Sequence, residues 1–131
     1  KRQLLGNYNI IFGGPPLHYL LADSSGRSAL VEFYNGEMLV TYNEQPWQMA
    51  TNFLCAVNGE CTEGKCWRYD TISEQLQETQ GRLKMQAAMD LLAEVSQEGT
   101  QWSILYGLST GEINVALGKA YDQVHKLHLE P

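Results

Sequence analysis

An α+β fold is expected from this sequence: antiparallel strands at both ends, with two helices between the strand groups. Three observations carry it. Apolar alternation of strand length fills both ends, turn dipeptides cut that alternation into hairpins, and apolar recurrence at helical spacing is confined to the middle.

The first strand is the short apolar run His18 to Ala22, ended by Asp23-Ser24-Ser25-Gly26. Such residues bond their own backbone or accept positive φ, so they mark a turn. Ser28 to Tyr34 has the next strand pattern, followed by Asn35-Gly36, the strongest two-residue hairpin signal. Met38 to Tyr42 completes a three-stranded meander. Gln45-Pro46 breaks it, and Trp47 to Leu54 reads as a fourth strand entering a cysteine-containing loop over 56–65. Thr71 and Glu74 have capping-box spacing, with Asp70 adding a carboxylate near the same helix start. Ile72, Leu76 and Leu83 continue that helix at helical intervals, and Gly81 breaks it. Met85, Met89, Leu92 and Val95 mark one face of a second helix, ended by Gly99. Trp102, Ile104 and Tyr106 then alternate, Thr110-Gly111 turns, and Ile113, Val115 and Leu117 alternate back. Val124 to Leu129 forms a last strand. Leu30, Phe33, Tyr34, Ile104 and Leu105 populate both strand faces, so the sheet requires a further layer.

At 131 residues the chain is expected to form a single domain, 1–131, with a modest core. The net charge of −6 and the scattered Lys and Arg argue against nucleic acid or an anionic membrane as partner. No apolar run approaches the length of a membrane span. Lys1-Arg2-Gln3 is not an initiator Met and no apolar signal segment follows, which reads as a C-terminal portion of something larger. Cys55, Cys61 and Cys66 have neither zinc spacing nor the even count of a disulfide framework. No metal or cofactor is expected. One disulfide in the loop and reduced thiols both remain open, the latter leaning towards a cytoplasmic protein.

The chemistry concentrates in Thr51-Asn52, at the end of the apolar run, and Arg68, where a helix opens. An Asn amide and a guanidinium brought to one spot can hold a developing negative charge, although neither is a nucleophile.

His18 to Glu32, then Thr51-Asn52-Phe53, then Trp67-Arg68-Tyr69, and finally Thr100-Gln101-Trp102-Ser103 form four ordered blocks. In order and spacing they resemble the C-terminal half of the linear amide C–N hydrolases. These N-terminal-nucleophile (Ntn) enzymes include choloylglycine hydrolase, penicillin V acylase and the isopenicillin N acyltransferase-like proteins. The resemblance implies a four-layer αββα sandwich, of which this chain would supply one helical layer and parts of both sheets. It also implies hydrolysis of, or acyl transfer from, a linear non-peptide amide by an N-terminal Cys whose own α-amino group shuttles the proton. Asn52 matches the position that stabilises the tetrahedral oxyanion, and Arg68 the helix-start arginine near the nucleophile. None of Cys55, Cys61 and Cys66 matches that nucleophile. The resemblance therefore assigns the nucleophile to an N-terminal half of the same protein, and this chain alone is expected to be inactive.

Each of these residues has a plainer reading. Asn52 suits a strand end that bonds its own backbone, and Arg68 suits a surface ion pair with Glu63 or Asp70. Cys55 reads as a small core residue. Asp23 and Glu32 are explained by the hairpin, as a turn residue and a strand polar position. His125 and His128, three apart, fall on opposite faces of a strand and read as solvated. Trp47, Trp67 and Trp102 read as core or interlayer packing, with Trp67, beside Arg68, a candidate wall of a substrate pocket. Two rivals to the hydrolase stand: a non-catalytic α+β module that binds a ligand or partner, and a thiol enzyme using Cys55 or Cys66 with distant His18 as base. An orphaned apolar sheet face is expected to make the isolated chain self-associate as a homo-oligomer.

Overall fold

The computed structural model describes residues 17–55, 64 and 66–130, so Cys61, Glu63 and most of the expected loop lie outside the described residues. The fold is α+β; among the described residues there are two antiparallel three-stranded sheets and two helices between them in sequence. The described residues group into two compact units divided between Tyr69 and Asp70.

In the first unit, β1 (His18–Ala22), β2 (Ser28–Tyr34) and β3 (Glu37–Tyr42) form a meander. Its two hairpins have different chemistry. Between β1 and β2, Asp23 Oδ1 accepts the Ser25 N–H at 2.9 Å, and Arg27 Nη2 reaches Asp23 Oδ2 at 2.9 Å. Between β2 and β3, Asn35 and Gly36 both have positive φ, 50° and 80°. That pair matches the right-handed twist of the strands, and Asn and Gly tolerate it best.

Register assigns the two faces. Tyr19, Leu21, Val31, Val40 and Tyr42 share one, and His18, Leu20, Leu30, Glu32, Leu39 and Thr41 the other. Leu30, Val31 and Glu32 are the buried residues of β2.

Trp47 to Leu54 does not form the expected fourth strand. Side chains satisfy polar groups that a ladder would otherwise pair. Gln48 Nε2 donates to the Thr41 carbonyl at 2.9 Å, and the Cys55 N–H donates to Glu32 Oε1 at 2.7 Å. Asn43 closes the end of β3, accepting the Ser28 N–H at 2.8 Å and donating to the Gln45 carbonyl at 2.9 Å.

The first helix, α1, spans Trp67–Glu78 and crosses the division between the units. It starts before the expected Thr71–Glu74 box, which lies inside it. It also ends before Gly81. The Gly81 N–H bonds to the Leu76 carbonyl at 2.8 Å and the Gln80 N–H to the Gln77 carbonyl at 3.2 Å. This is the paired bonding of a Schellman cap, with Gln80 at φ 53° in the left-handed position that glycine usually fills.

In the second unit, α2 (Met85–Glu94) stops before Gly99, at Val95, whose N–H returns to the Leu91 carbonyl. It buries Met89 and Leu91 and lies against β4 (Trp102–Tyr106). The Tyr121 hydroxyl donates to the Leu92 carbonyl at 3.2 Å and lies 2.8 Å from Ser103 Oγ, fastening helix to sheet. Strand β5 (Glu112–Leu117) pairs with β4 and with β6 (His125–His128). Ser103, Asn114 and Ala116 share the face on which Tyr121 anchors α2, and Asn114 and Ala116 are buried. Trp102, Ile104, Tyr106, Val115, Leu117 and Leu127 share the opposite face, where Trp102, Tyr106, Leu117 and Leu127 are exposed. Gly111, at φ 76°, ends the β4–β5 turn; a Cβ there would stand 2.6 Å from the Leu129 carbonyl oxygen. No helix among the described residues is long and apolar enough to cross a membrane.

Candidate functional site

The meander positions the site through one of its faces. Glu32 is fully buried there, and its carboxylate holds the Cys55 N–H while standing 3.6 Å from His18 Nδ1. Gln48 fastens the other end of the same segment to the Thr41 carbonyl. Thr51 and Asn52 lie between these two attachments.

Arg68 approaches from α1, as its second residue. Its Nη2 donates to Asn52 Oδ1 at 3.2 Å. The two residues singled out from sequence are therefore in direct contact. Asn52 is exposed and not a buried strand end, and Arg68 is half-buried. A guanidinium carries donors only, so it fixes which end of the Asn52 amide faces it. The amide NH2 is turned the other way, free to donate.

Cys66 completes the cluster. It precedes α1 directly and is a buried free thiol, 8% exposed. Burial pushes its pKa up. That effect is outweighed by hydrogen bonds from the Tyr69 N–H, the Thr51 hydroxyl and the Arg68 N–H, together with the Arg68 charge, leaving the thiol lowered. A cysteine thus stands directly before the helix, where Ser, Thr, Asp or Asn is usual. Cys55 differs: it is disulfide-bonded, which corrects the expectation of a free core thiol.

Trp67 is 54% exposed beside Arg68, and Trp102 is 63% exposed, so neither packs in a core within this chain. Trp47 is half-buried. A cleft of about 200 Å³ lies between Leu30, Thr41, Trp47, Met49, Cys55 and Tyr69, next in sequence to Arg68. A hollow of about 220 Å³ on the opposite sheet face, lined by Leu21, Val31, Val40 and Tyr42, includes neither Asn52 nor Arg68 and has no part in the site.

Sequence reasoning missed Cys66 as a buried residue directly before α1, and Glu32 as the anchor of the segment. The available signals were a cysteine directly before a helix and an acidic residue inside an otherwise apolar strand. His125 and His128 are exposed, and no group of three or more His, Cys, Asp or Glu among the described residues could hold a metal. No family model, no curated protein and no solved structure matches the chain.

Proposed function

We propose that this chain is the supporting wall of an Ntn-type hydrolase, or acyltransferase, that cleaves linear non-peptide amide bonds in small molecules. The contact between Arg68 Nη2 and Asn52 Oδ1 carries the reading. It brings together two residues far apart in sequence that the resemblance assigns to one active site, and it leaves the Asn52 NH2 pointing away from the guanidinium.

In the proposed reaction, an N-terminal Cys on the other half of the protein attacks the amide carbonyl carbon. The thiol proton passes through the α-amino group to the leaving nitrogen. The C–N bond breaks, releasing an amine and leaving a thioester. Water, or an acceptor amine in the transferase, then attacks the thioester, releasing the acyl product and restoring the thiol. Asn52 donates to the oxygen that becomes anionic in each tetrahedral intermediate, and Arg68 holds that donor while adding positive charge.

The outer face of the second sheet also supports this reading. Trp102, Tyr106, Leu117 and Leu127 form an exposed apolar surface on the face opposite the one that carries α2. A sheet with a helix on one side and another sheet on the other requires such a surface. The N-terminal half is the proposed partner for it, and self-association is the proposed outcome when that half is missing.

A thiol enzyme built on Cys66 has the lowered thiol in its favour. Against it, the sulfur is buried. Alkylation of Cys66 that abolished an activity of the isolated chain would favour this second reading. The amidase reading is tested by Asn52→Ala in the full-length protein, assayed against bile-salt, penicillin and acyl-peptide amides. Turnover is expected to fall about a hundred- to a thousandfold with the fold unchanged. Near-normal turnover would remove Asn52 from the site.

A further inference from the structure

Glu32 is the acidic residue of an otherwise apolar run in β2, and it is 0% exposed. A carboxylate so placed is costly unless polar groups meet it. Two groups converge on one of its oxygens. The Cys55 N–H donates to Oε1 at 2.7 Å, and His18 brings Nδ1 to 3.6 Å from the same atom. His18 is the residue directly opposite Glu32 in the β1–β2 ladder, so the ladder itself fixes that approach. Its Nδ1 is buried and makes no hydrogen bond among the described residues, which leaves it facing the carboxylate.

The segment that Glu32 holds is the one that carries Asn52. Residues 48–54 are neither strand nor helix, and side chains tie both ends of the segment to the meander. Gln48 Nε2 donates to the Thr41 carbonyl at one end, and Glu32 accepts the Cys55 N–H at the other. Asn52 is exposed and lies three residues before Cys55. Three residues span at most about 10 Å, so movement of the Cys55 backbone passes to Asn52 with little slack.

We propose that Glu32 is a positioning residue, whose buried carboxylate, braced by His18, sets where Asn52 stands by holding the Cys55 backbone N–H against the sheet. The catalytic consequence rests on the amidase reading; the positioning does not. Asn52 meets Arg68 through a single 3.2 Å hydrogen bond from α1, and the Glu32 tie fixes the segment that must deliver it there.

The test compares Glu32→Gln with Glu32→Leu in the full-length protein, with the Cys55 disulfide left intact. Glutamine keeps an oxygen that accepts the Cys55 N–H; leucine fills the space and has none. NMR follows the Cys55 amide proton and the Asn52 side-chain amide, and circular dichroism checks the fold. Kinetics are measured on whichever of the bile-salt, penicillin and acyl-peptide amides the wild type cleaves fastest. Glu32→Leu is expected to move both sets of resonances and to lower kcat roughly ten- to a hundredfold, with KM little changed. Glu32→Gln is expected to return the Asn52 resonances to their wild-type positions and kcat to within a few fold. A folded Glu32→Leu protein with unmoved Asn52 resonances overturns the proposal, because a carboxylate that only stabilises the sheet gives that result. Equal defects in both variants overturn it too, since the acceptor oxygen would then not be the positioning element. Should Glu32→Leu fail to fold, Glu32→Asp draws the oxygen back by one methylene and keeps the charge; unmoved Asn52 resonances there overturn the proposal equally. A wild-type protein that cleaves none of these amides sinks the function reading, while the NMR comparison still decides the positioning.

Discussion

Asp23 and Asn52 both place a side-chain oxygen against an arginine, yet the two contacts have different consequences. At Asp23, hydrogen bonds from the Ser25 side chain and backbone and from Arg27 hold the carboxyl at about 2, well below its ordinary value of 3.8. A depressed carboxylate stabilises the turn fully above the unfolded value, and that contribution is lost as pH falls towards the folded one. An NMR titration of Asp23 is therefore expected to show a midpoint near 2; a midpoint near the ordinary value would mean that the turn network does not persist in solution. At Asn52 the partner charge sets orientation, directing the amide donors away from Arg68. Residue types and spacing brought Asn52 and Arg68 to attention, but the burial of Cys66 was not legible. Cysteine is not among the usual N-cap residues, so its place before α1 gave no sign of its burial. Glu32 was read as no more than a strand polar position, because strand alternation does not reveal which carboxylate will receive a backbone N–H.

Strands were more legible than helix ends. Each hairpin pairs neighbours in sequence, so alternation and turn chemistry determine β1 and β2 to the residue and place β3 within one. The helices depend on their caps. Thr71 and Glu74 have the spacing of a box but fall within α1, which begins four residues earlier at Trp67. At the other end, Gln80 takes the left-handed position one residue before Gly81. A side chain there meets the crowding that disfavours left-handed helix, and Gln80 is exposed. Gln80→Gly is thus expected to stabilise the protein by about 0.5 kcal/mol, the relief of that crowding exceeding the entropy cost of glycine. Chemical denaturation would check it, and a net loss of stability would show that Gln80 is not strained. The missing fourth strand has a similar lesson. Gln48 and Glu32 satisfy backbone groups with side chains, an option that strand periodicity does not encode.

For the whole molecule, both sheets carry apolar side chains beyond what their own unit covers. In the first, Tyr19, Leu21 and Tyr42 are exposed on one face; in the second, Trp102, Tyr106, Leu117 and Leu127 are. Large apolar patches seldom remain open on a soluble monomer. The isolated chain is therefore expected to self-associate, with a light-scattering mass that rises with concentration. A compact monomer at high concentration would count against it. The α+β class was legible in the order of elements, whereas the covering of these faces was not, since alternation identifies an apolar face without identifying its partner. The most direct measurement of the central claim is amide hydrolysis by the full-length protein carrying Asn52→Ala or Arg68→Ala, each checked for an intact fold. The account predicts that Asn52→Ala lowers kcat about a hundred- to a thousandfold, and that Arg68→Ala lowers it in the same direction. Two folded variants with wild-type kcat would contradict it.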